Sequence, residues 1–354
     1  EPHVCLVFRC SCSILEGADF MSEKIVRAAI IGYGGAFNMG AHHTREMHAT
    51  GRMKLLAVCD IDPARTEQAK KDWPGIQTFN DVDELLAKGN FDLAVVILPH
   101  NQHAPVAVKC SNAGKHVIVE KPMCLTVKEA NDMINAAKKA RRMLTVYHNR
   151  RHDGDFLTLK SLVQRGVIGK VFSVEMGGMG WGHPGTWWRS KKDISGGAFY
   201  DWGAHFLDWL LQIVPNKIEN VTGFFQQDLV WKDVTNEDHV HAVIRFDENV
   251  VADVQMSHIA RVGRPRWKLL GSKGAIVSEK GGFRVYGEFD GVLAEGFVSD
   301  QPGTHPKYYE NIAAHILDGA ELDVKPEQAR RVIAIMETAE ISSKSGVSEK
   351  MPVD

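Results

Sequence analysis

The stretch Gly196-Gly197-Ala198-Phe199-Tyr200-Asp201-Trp202-Gly203-Ala204-His205-Phe206-Leu207-Asp208-Trp209-Leu210-Leu211-Gln212-Ile213-Val214 sets a few polar side chains into an otherwise apolar run. At about 100° per residue, Asp201, His205, Asp208 and Gln212 form one narrow stripe. Phe199, Trp202, Phe206, Trp209, Leu210 and Ile213 share a broad apolar face, and Leu207 and Leu211 fill another side. A helix apolar nearly all round is buried, and an unpaired carboxylate or imidazole inside it costs several kcal/mol. The stripe therefore faces partners, a cavity or a ligand. It is either a structural Asp–His pair in the core or a site, in which an imidazole could serve as a base near neutral pH.

Two further groups of residues carry chemistry. Gly32-Tyr33-Gly34-Gly35-Ala36-Phe37-Asn38-Met39-Gly40 follows the apolar run Val26–Ile31, and Asp60 closes the next run, Lys54–Cys59. A glycine-rich turn after one strand, with an acid ending the second, is the dinucleotide-binding arrangement. Gly32 permits the tight turn, and Gly34 lets the backbone approach a pyrophosphate. The helix N-terminus beyond supplies amide donors and positive dipole. Gly35, Ala36 and Phe37 complete the candidate cofactor turn, with Phe37 where the third glycine usually stands and Gly40 three residues later. Asp60 is expected to bond the adenosine ribose hydroxyls and to repel a 2′-phosphate, which favours NAD over NADP. Pro99-His100-Asn101-Gln102-His103 and Glu120-Lys121-Pro122 each follow a predicted parallel strand, where open α/β sheets bind ligands. Pro99, His103, Glu120 and Lys121 are thus candidate cofactor contacts. Taken alone, Lys121 reads as a surface lysine, but Pro122 restricts it to extended backbone and so aims its side chain.

These residues need a scaffold. After the turn, a helix is expected to about Thr50, another from Asp62-Pro63 with proline in its first turn, and a βα unit over Ile76–Lys88. Strand Phe91–Leu98, helix Ala104–Ala113, strand His116–Glu120, helix Val127–Arg141 and strand Leu144–His148 continue the alternation. Apolar strands separated by helices indicate a parallel sheet covered on both faces. Beyond it, Asp155–Gln164 reads as a helix and Val171–Met176 as a strand. After Val214 the period becomes two, with strands near Glu219–Gln226, His239–Phe246, Val250–His258, Arg266–Gly271, Ala275–Ser278 and Phe283–Glu288. Tyr308–Leu317 and Pro326–Ser343 read as helices packing back on the first domain. The expected fold is α/β. An N-terminal Rossmann doubly wound parallel sheet spans 21–149, and an α+β domain with a large, mostly antiparallel sheet spans 150–354. One face of that second sheet would rest on the Asp201 helix. The other, if apolar, would be covered by a second subunit, giving a homodimer or homotetramer.

Between Val171 and the polar helix lies a Gly- and Trp-rich loop containing Trp181, His183, Trp187, Trp188 and Arg189. Indole faces pack against the CH faces of a pyranose while polar groups orient its hydroxyls, so these are candidate substrate contacts; a packed loop or subunit contact is the alternative. Arg189, with Lys191 and Lys192, could read a carboxylate, or could simply be solvated. His239 and His241 share a strand face, but no third ligand is spaced for a metal, and none is expected. Net charge is −2 without a block of like charges, which gives no electrostatic support for nucleic-acid binding. No apolar run approaches the roughly 20 residues of a membrane helix. Residues 1–20, with Cys5, Cys10 and Cys12, look unlike the rest, and Met21 reads as the natural start. Cys59, Cys110 and Cys124 lack metal or disulfide spacing, as expected of a reducing, cytoplasmic setting.

Together these residues resemble the glucose–fructose oxidoreductase/inositol dehydrogenase (Gfo/Idh/MocA) family. The resemblance runs from about Lys24 to Gly346 and is most specific at Gly114-Lys115-His116-Val117-Ile118-Val119-Glu120-Lys121-Pro122, with His103 upstream. Asn149-Arg150-Arg151, Gly166-Val167-Ile168-Gly169-Lys170-Val171 and the Gly196-Gly197 helix also resemble the family; Arg151 joins the candidate substrate contacts. The lengthened phosphate turn departs from its pattern. By this resemblance Lys121, Asp201 and His205 contact the reacting carbinol. The implied activity is NAD-dependent hydride transfer at a secondary alcohol of a sugar, polyol, inositol or glycoside. His205 would be general base and Lys121 would stabilise the alkoxide, with Asp201 binding a neighbouring hydroxyl or orienting the site. Two alternatives stand: a redox-neutral enzyme that retains NAD and oxidises a sugar transiently, and a non-catalytic nucleotide-binding regulator.

Overall fold

Runs of β-branched and small apolar residues build the first sheet of this protein, seen in a computed structural model. It describes residues 24–353 apart from Ala36 and Asp290; the leader at 1–20 and Ala36 of the glycine turn lie outside the described residues. In chain order come β1 (Val26–Ile31), α1 (Met39–Ala49), β2 (Met53–Cys59), α2 (Pro63–Asp72), β3 (Gln77–Phe79), α3 (Val82–Lys88), β4 (Leu93–Val96), α4 (His103–Asn112), β5 (His116–Val119), α5 (Val127–Ala140) and β6 (Leu144–Val146). The strands are parallel in the order β3-β2-β1-β4-β5-β6. That order reverses between β1 and β4, and such a switch point opens a crevice at the strands' carboxyl ends. The helices start where their sequences supply caps. Asp62 accepts from Ala64 N with Pro63 in the first turn, Asp81 accepts from Glu84 N, and Thr126 forms a capping box with Glu129.

The second region comprises α6 (Gly154–Gln164), β7 (Val171–Met179), α7 (Lys192–Ser195), α8 (Ala198–Asp201), α9 (Gly203–Ile213), β8 (Ile218–Gln226), β9 (His239–Phe246), β10 (Val251–Ser257), β11 (Trp267–Gly271), β12 (Gly274–Glu279), β13 (Gly282–Phe289), β14 (Val292–Ser299), α10 (Lys307–Asp318), α11 (Pro326–Ser345) and β15 (Glu349–Lys350). Its nine strands run in the order β14-β13-β12-β11-β7-β10-β9-β8-β15. All neighbours are antiparallel except β7 and β10. The sequence did not announce β14 or β15. The residues of β14 are exposed on nearly every side, so β14 has no buried alternation to read. The polar helix is also not one piece: it breaks between α8 and α9 at Trp202.

Helices α6, α8, α9 and α11 pack on the inner face of the large sheet. The outer face is mixed, with the pairs Lys268–Glu175 (2.8 Å) and His241–Asp253 (2.5 Å) set among exposed Phe224, Tyr286 and Phe297. Helix α11, buried through Val332, Ile333, Ile335, Met336 and Ala339, touches α5 and β6 on one side and β8 and α9 on the other. At β8, Gly223 lets it come close, since a Cβ there would run into the Ala339 carbonyl.

Candidate active site

Each member of the polar stripe has a different fate. Asp208 is buried and holds the Arg151 guanidinium with both oxygens, at 2.8 and 2.5 Å. Gln212 accepts from Lys160 Nζ at 3.3 Å. Asp201 Oδ1 lies 2.6 Å from Lys121 Nζ. His205 is buried, and its Nδ1 has no hydrogen-bond partner among the described residues. The stripe is architectural at the Asp208–Gln212 end and open at the other, where the Asp201 side chain is partly exposed.

The open end lies where β5 delivers Lys121, just beyond the carboxyl end of the parallel sheet; the Lys121–Pro122 peptide is cis. The ammonium donates to Asp201 Oδ1 and, at 3.1 Å, to the Asp201 main-chain oxygen. In an unbroken helix that carbonyl would accept from His205 N; here His205 N bonds Trp202 O instead, at 3.0 Å. Lys121 thus takes up the carbonyl that the helix break releases, and with its three N–H groups it retains one for a ligand. Burial opposes ionisation of Asp201, but Lys121, with Arg189 further off, holds its carboxyl down at about 2. Its side chain is still 38% exposed, and no hydrogen bond engages Oδ2 among the described residues.

Three buried imidazoles surround this pair. Burial, then Lys121 and His148, hold His205 well below the ordinary histidine range. His100 is depressed by burial, then by His103 and Lys121. Its Nδ1 meets Ser195 O at 2.7 Å, while Nε2 is buried without a partner. His148, just after β6, is depressed by burial, with Asp208 opposing; its Nδ1 is also unpartnered, 3.9 Å from Asp208 Oδ2. All are neutral near pH 7. His100 and His148 did not stand out in the sequence, where neither shares a helical face with the stripe. Their positions at strand ends were the only signal.

Several expected contacts serve the scaffold instead. Arg151 is committed to Asp208, Asp323 O and Gln328 Oε1, so it is not presented to a substrate. His103 is fully buried between the segments after β4 and β5, its ring nitrogens facing Pro122 O (2.7 Å) and Leu98 O (2.8 Å), and as a neutral ring it donates to one of these two carbonyls. Glu120 bonds His43 Nε2 (3.0 Å) and Lys121 N (3.0 Å), and Tyr309 Oη lies 2.5 Å from His43 Nδ1. That carboxylate anchors Lys121 from behind. Pro99 remains half-buried at the end of β4.

The turn fits a dinucleotide. Gly32 and Gly34 have φ of 89° and 69°, and a Cβ on Gly34 would meet nothing within 4 Å, which leaves the backbone open to a phosphate. Asp60 Oδ2 accepts from Tyr33 N (2.8 Å) and Gly34 N (3.3 Å), which fixes the turn's shape. The close helix contact expected of a third glycine is made by Gly40, where a Cβ would lie 2.6 Å from the Tyr33 ring and 2.7 Å from its carbonyl oxygen. Phe37, 61% exposed, instead points across to the tryptophan loop. That loop divides in two. Trp187 and Trp188 gather around Arg189, whose guanidinium lies 5.0 and 4.5 Å from their ring centres and 4.0 Å from Asp201 Oδ1. Trp181 and His183 form a separate cluster with Trp231, Arg261 and Asp233. Among the described residues, no three His, Cys, Asp or Glu side chains are gathered as for a metal ion.

Comparison with known proteins matches this architecture. Residues 26–148 match the NAD-binding Rossmann domain of the GFO/IDH/MocA oxidoreductase family, and 156–277 match the GFO/IDH/MocA C-terminal domain. The Escherichia coli oxidoreductase YdgJ is 29% identical, the alignment covering 92% of this chain and 98% of that protein. The scyllo-inositol 2-dehydrogenase (NADP(+)) IolW of Bacillus subtilis is 28% identical, with 81% and 86% covered. Among solved structures, yvaA from Bacillus subtilis superposes with a TM-score of 0.83 at 23% identity, with 93% of this chain and 99% of that one covered. The chain belongs to the GFO/IDH/MocA oxidoreductase family, with an NAD-binding Rossmann domain and that family's C-terminal domain.

Proposed function

We propose that this oxidoreductase moves a hydride between NAD and a secondary alcohol carbon of a sugar, polyol, inositol or glycoside. The observation that carries the reading is the Lys121–Asp201 pair at the carboxyl end of the parallel sheet, with neutral, buried His205 one helical turn beyond Asp201 and within the field of Lys121. When bound, the nicotinamide supplies the hydride acceptor or donor. His205, kept neutral by burial, takes the carbinol proton in the oxidative direction. The remaining N–H of Lys121 bonds the same oxygen and stabilises the alkoxide. Asp201 holds the ammonium in place and accepts from a neighbouring hydroxyl. Trp187, Trp188 and Arg189 wall the substrate side, and the Trp181–His183 cluster lies further along the same loop. Asp60 supports NAD over NADP by charge, although the relative IolW is named for NADP(+). A reducing cytoplasm suits the free buried Cys59, Cys110 and Cys124, and a homo-oligomer would cover the outer face of the large sheet.

The test is Lys121→Ala. Turnover with NAD should fall about 10²- to 10³-fold, the usual cost of one oxyanion donor, while NADH affinity changes by no more than about twofold. Undiminished turnover across a panel of inositols, aldoses, uronates and glycosides would refute the assignment.

A further inference from the structure

The phosphate turn holds more chain than it uses. With Gly40 making the close contact to Tyr33 that normally falls to a third glycine, Gly35 and Phe37 are surplus to the turn's own geometry. Gly35 rests against the guanidinium of Arg65 on α2, which steadies the segment on one side. On the other, the Phe37 ring packs edge-on to Trp187, ring centres 5.7 Å apart and planes at 64°. The Arg189 guanidinium lies 5.2 Å from the Phe37 ring centre and 4.0 Å from Asp201 Oδ1. A large apolar side chain exposed over 61% of its surface therefore reaches from the phosphate end of the crevice to a loop that also touches the reaction centre.

We propose that Phe37 and Trp187 close over the dinucleotide as a clasp, so that cofactor leaves only when this aromatic contact opens. The inference rests on the glycine turn being the dinucleotide site. A dinucleotide held at the Gly34 turn with its reactive end at Lys121 would have to run past the Phe37–Arg189–Asp201 line of contacts. Edge-to-face aromatic packing and the guanidinium over both rings hold the clasp shut without spanning bonds. Slow cofactor release is what a redox-neutral cycle with retained NAD requires, so the clasp bears directly on that alternative chemistry.

NADH release from the full chain, followed by its fluorescence after mixing with excess NAD, tests the clasp. Phe37→Ala and Trp187→Ala should each speed release about tenfold, or about 1.4 kcal/mol. The double variant should be little faster than either, because one contact is lost in all three. Phe37→Tyr, which keeps the ring, should release NADH at the original rate. Release rates unchanged within about twofold in both alanine variants, or fully multiplicative effects in the double variant, overturn the clasp while leaving the dinucleotide site intact. Failure of the unmodified protein to bind NADH at all would instead overturn the reading of the site on which the clasp rests.

Discussion

Asp208 and His205 stand three residues apart on α9 yet obey opposite rules. The Asp208 carboxylate is held low against burial by Arg151 and then His148, and the fork geometry of the guanidinium occupies both its oxygens. Removing one member of a buried pair leaves the other charge uncompensated, so Asp208→Ala should cost about 3–5 kcal/mol of stability, read by chemical denaturation. His205→Gln, with no charge to strand, should cost far less. The same contrast explains what the sequence could show at this scale. Spacing placed Asp201, His205 and Asp208 on one stripe, and strand ends placed Lys121, Glu120 and His103 near the crevice. Neither indicates which way a side chain turns. Arg151, His103 and Glu120 turn inwards because buried polar partners were waiting: Asp208, two main-chain carbonyls and His43.

Among the elements, the strands of the parallel sheet were legible because both faces are buried and their sequences are apolar without interruption. The β14 strand was not, since apart from Val298, which packs on the core, its residues are exposed and it is held chiefly by pairing with β13. The α8–α9 break was equally hidden. It goes with Lys121 taking up the Asp201 carbonyl, a tertiary effect, and with Gly203 lying where a Cβ would meet the Phe199 ring at 2.6 Å, a local contact across the break. Helix α11 depends on a close approach of the same kind. Gly223→Ala would push the Ala339 carbonyl off β8, an overpacking worth about 1–3 kcal/mol. A lowered denaturation midpoint with unchanged NADH affinity is expected.

For the molecule as a whole, the buried imidazoles set a pH dependence. His100, His103, His148 and His205 are each depressed, chiefly by burial. The unfolded chain takes up these protons near pH 6.5 while the folded chain resists them, so stability is fully present above that pH and falls as the pH drops below it. Denaturation midpoints at pH 7.5, 6.5 and 5.5 should decline in that order; a flat profile would mean that these rings protonate without cost. The C-terminal helices α10 and α11 are also fastened to the Rossmann region. Tyr309 on α10 completes the His43–Glu120 support beneath Lys121, and Arg330 on α11 bonds Asn131 on α5 at 2.8 Å. This fastening has a consequence for biogenesis. Chains emerge from the ribosome N-terminus first and tend to fold domain by domain, yet Tyr309 is made 266 residues after His43. The Glu120–His43 support behind Lys121 is therefore complete only once α10 has been synthesised, and the reaction centre is finished late in the life of each new molecule.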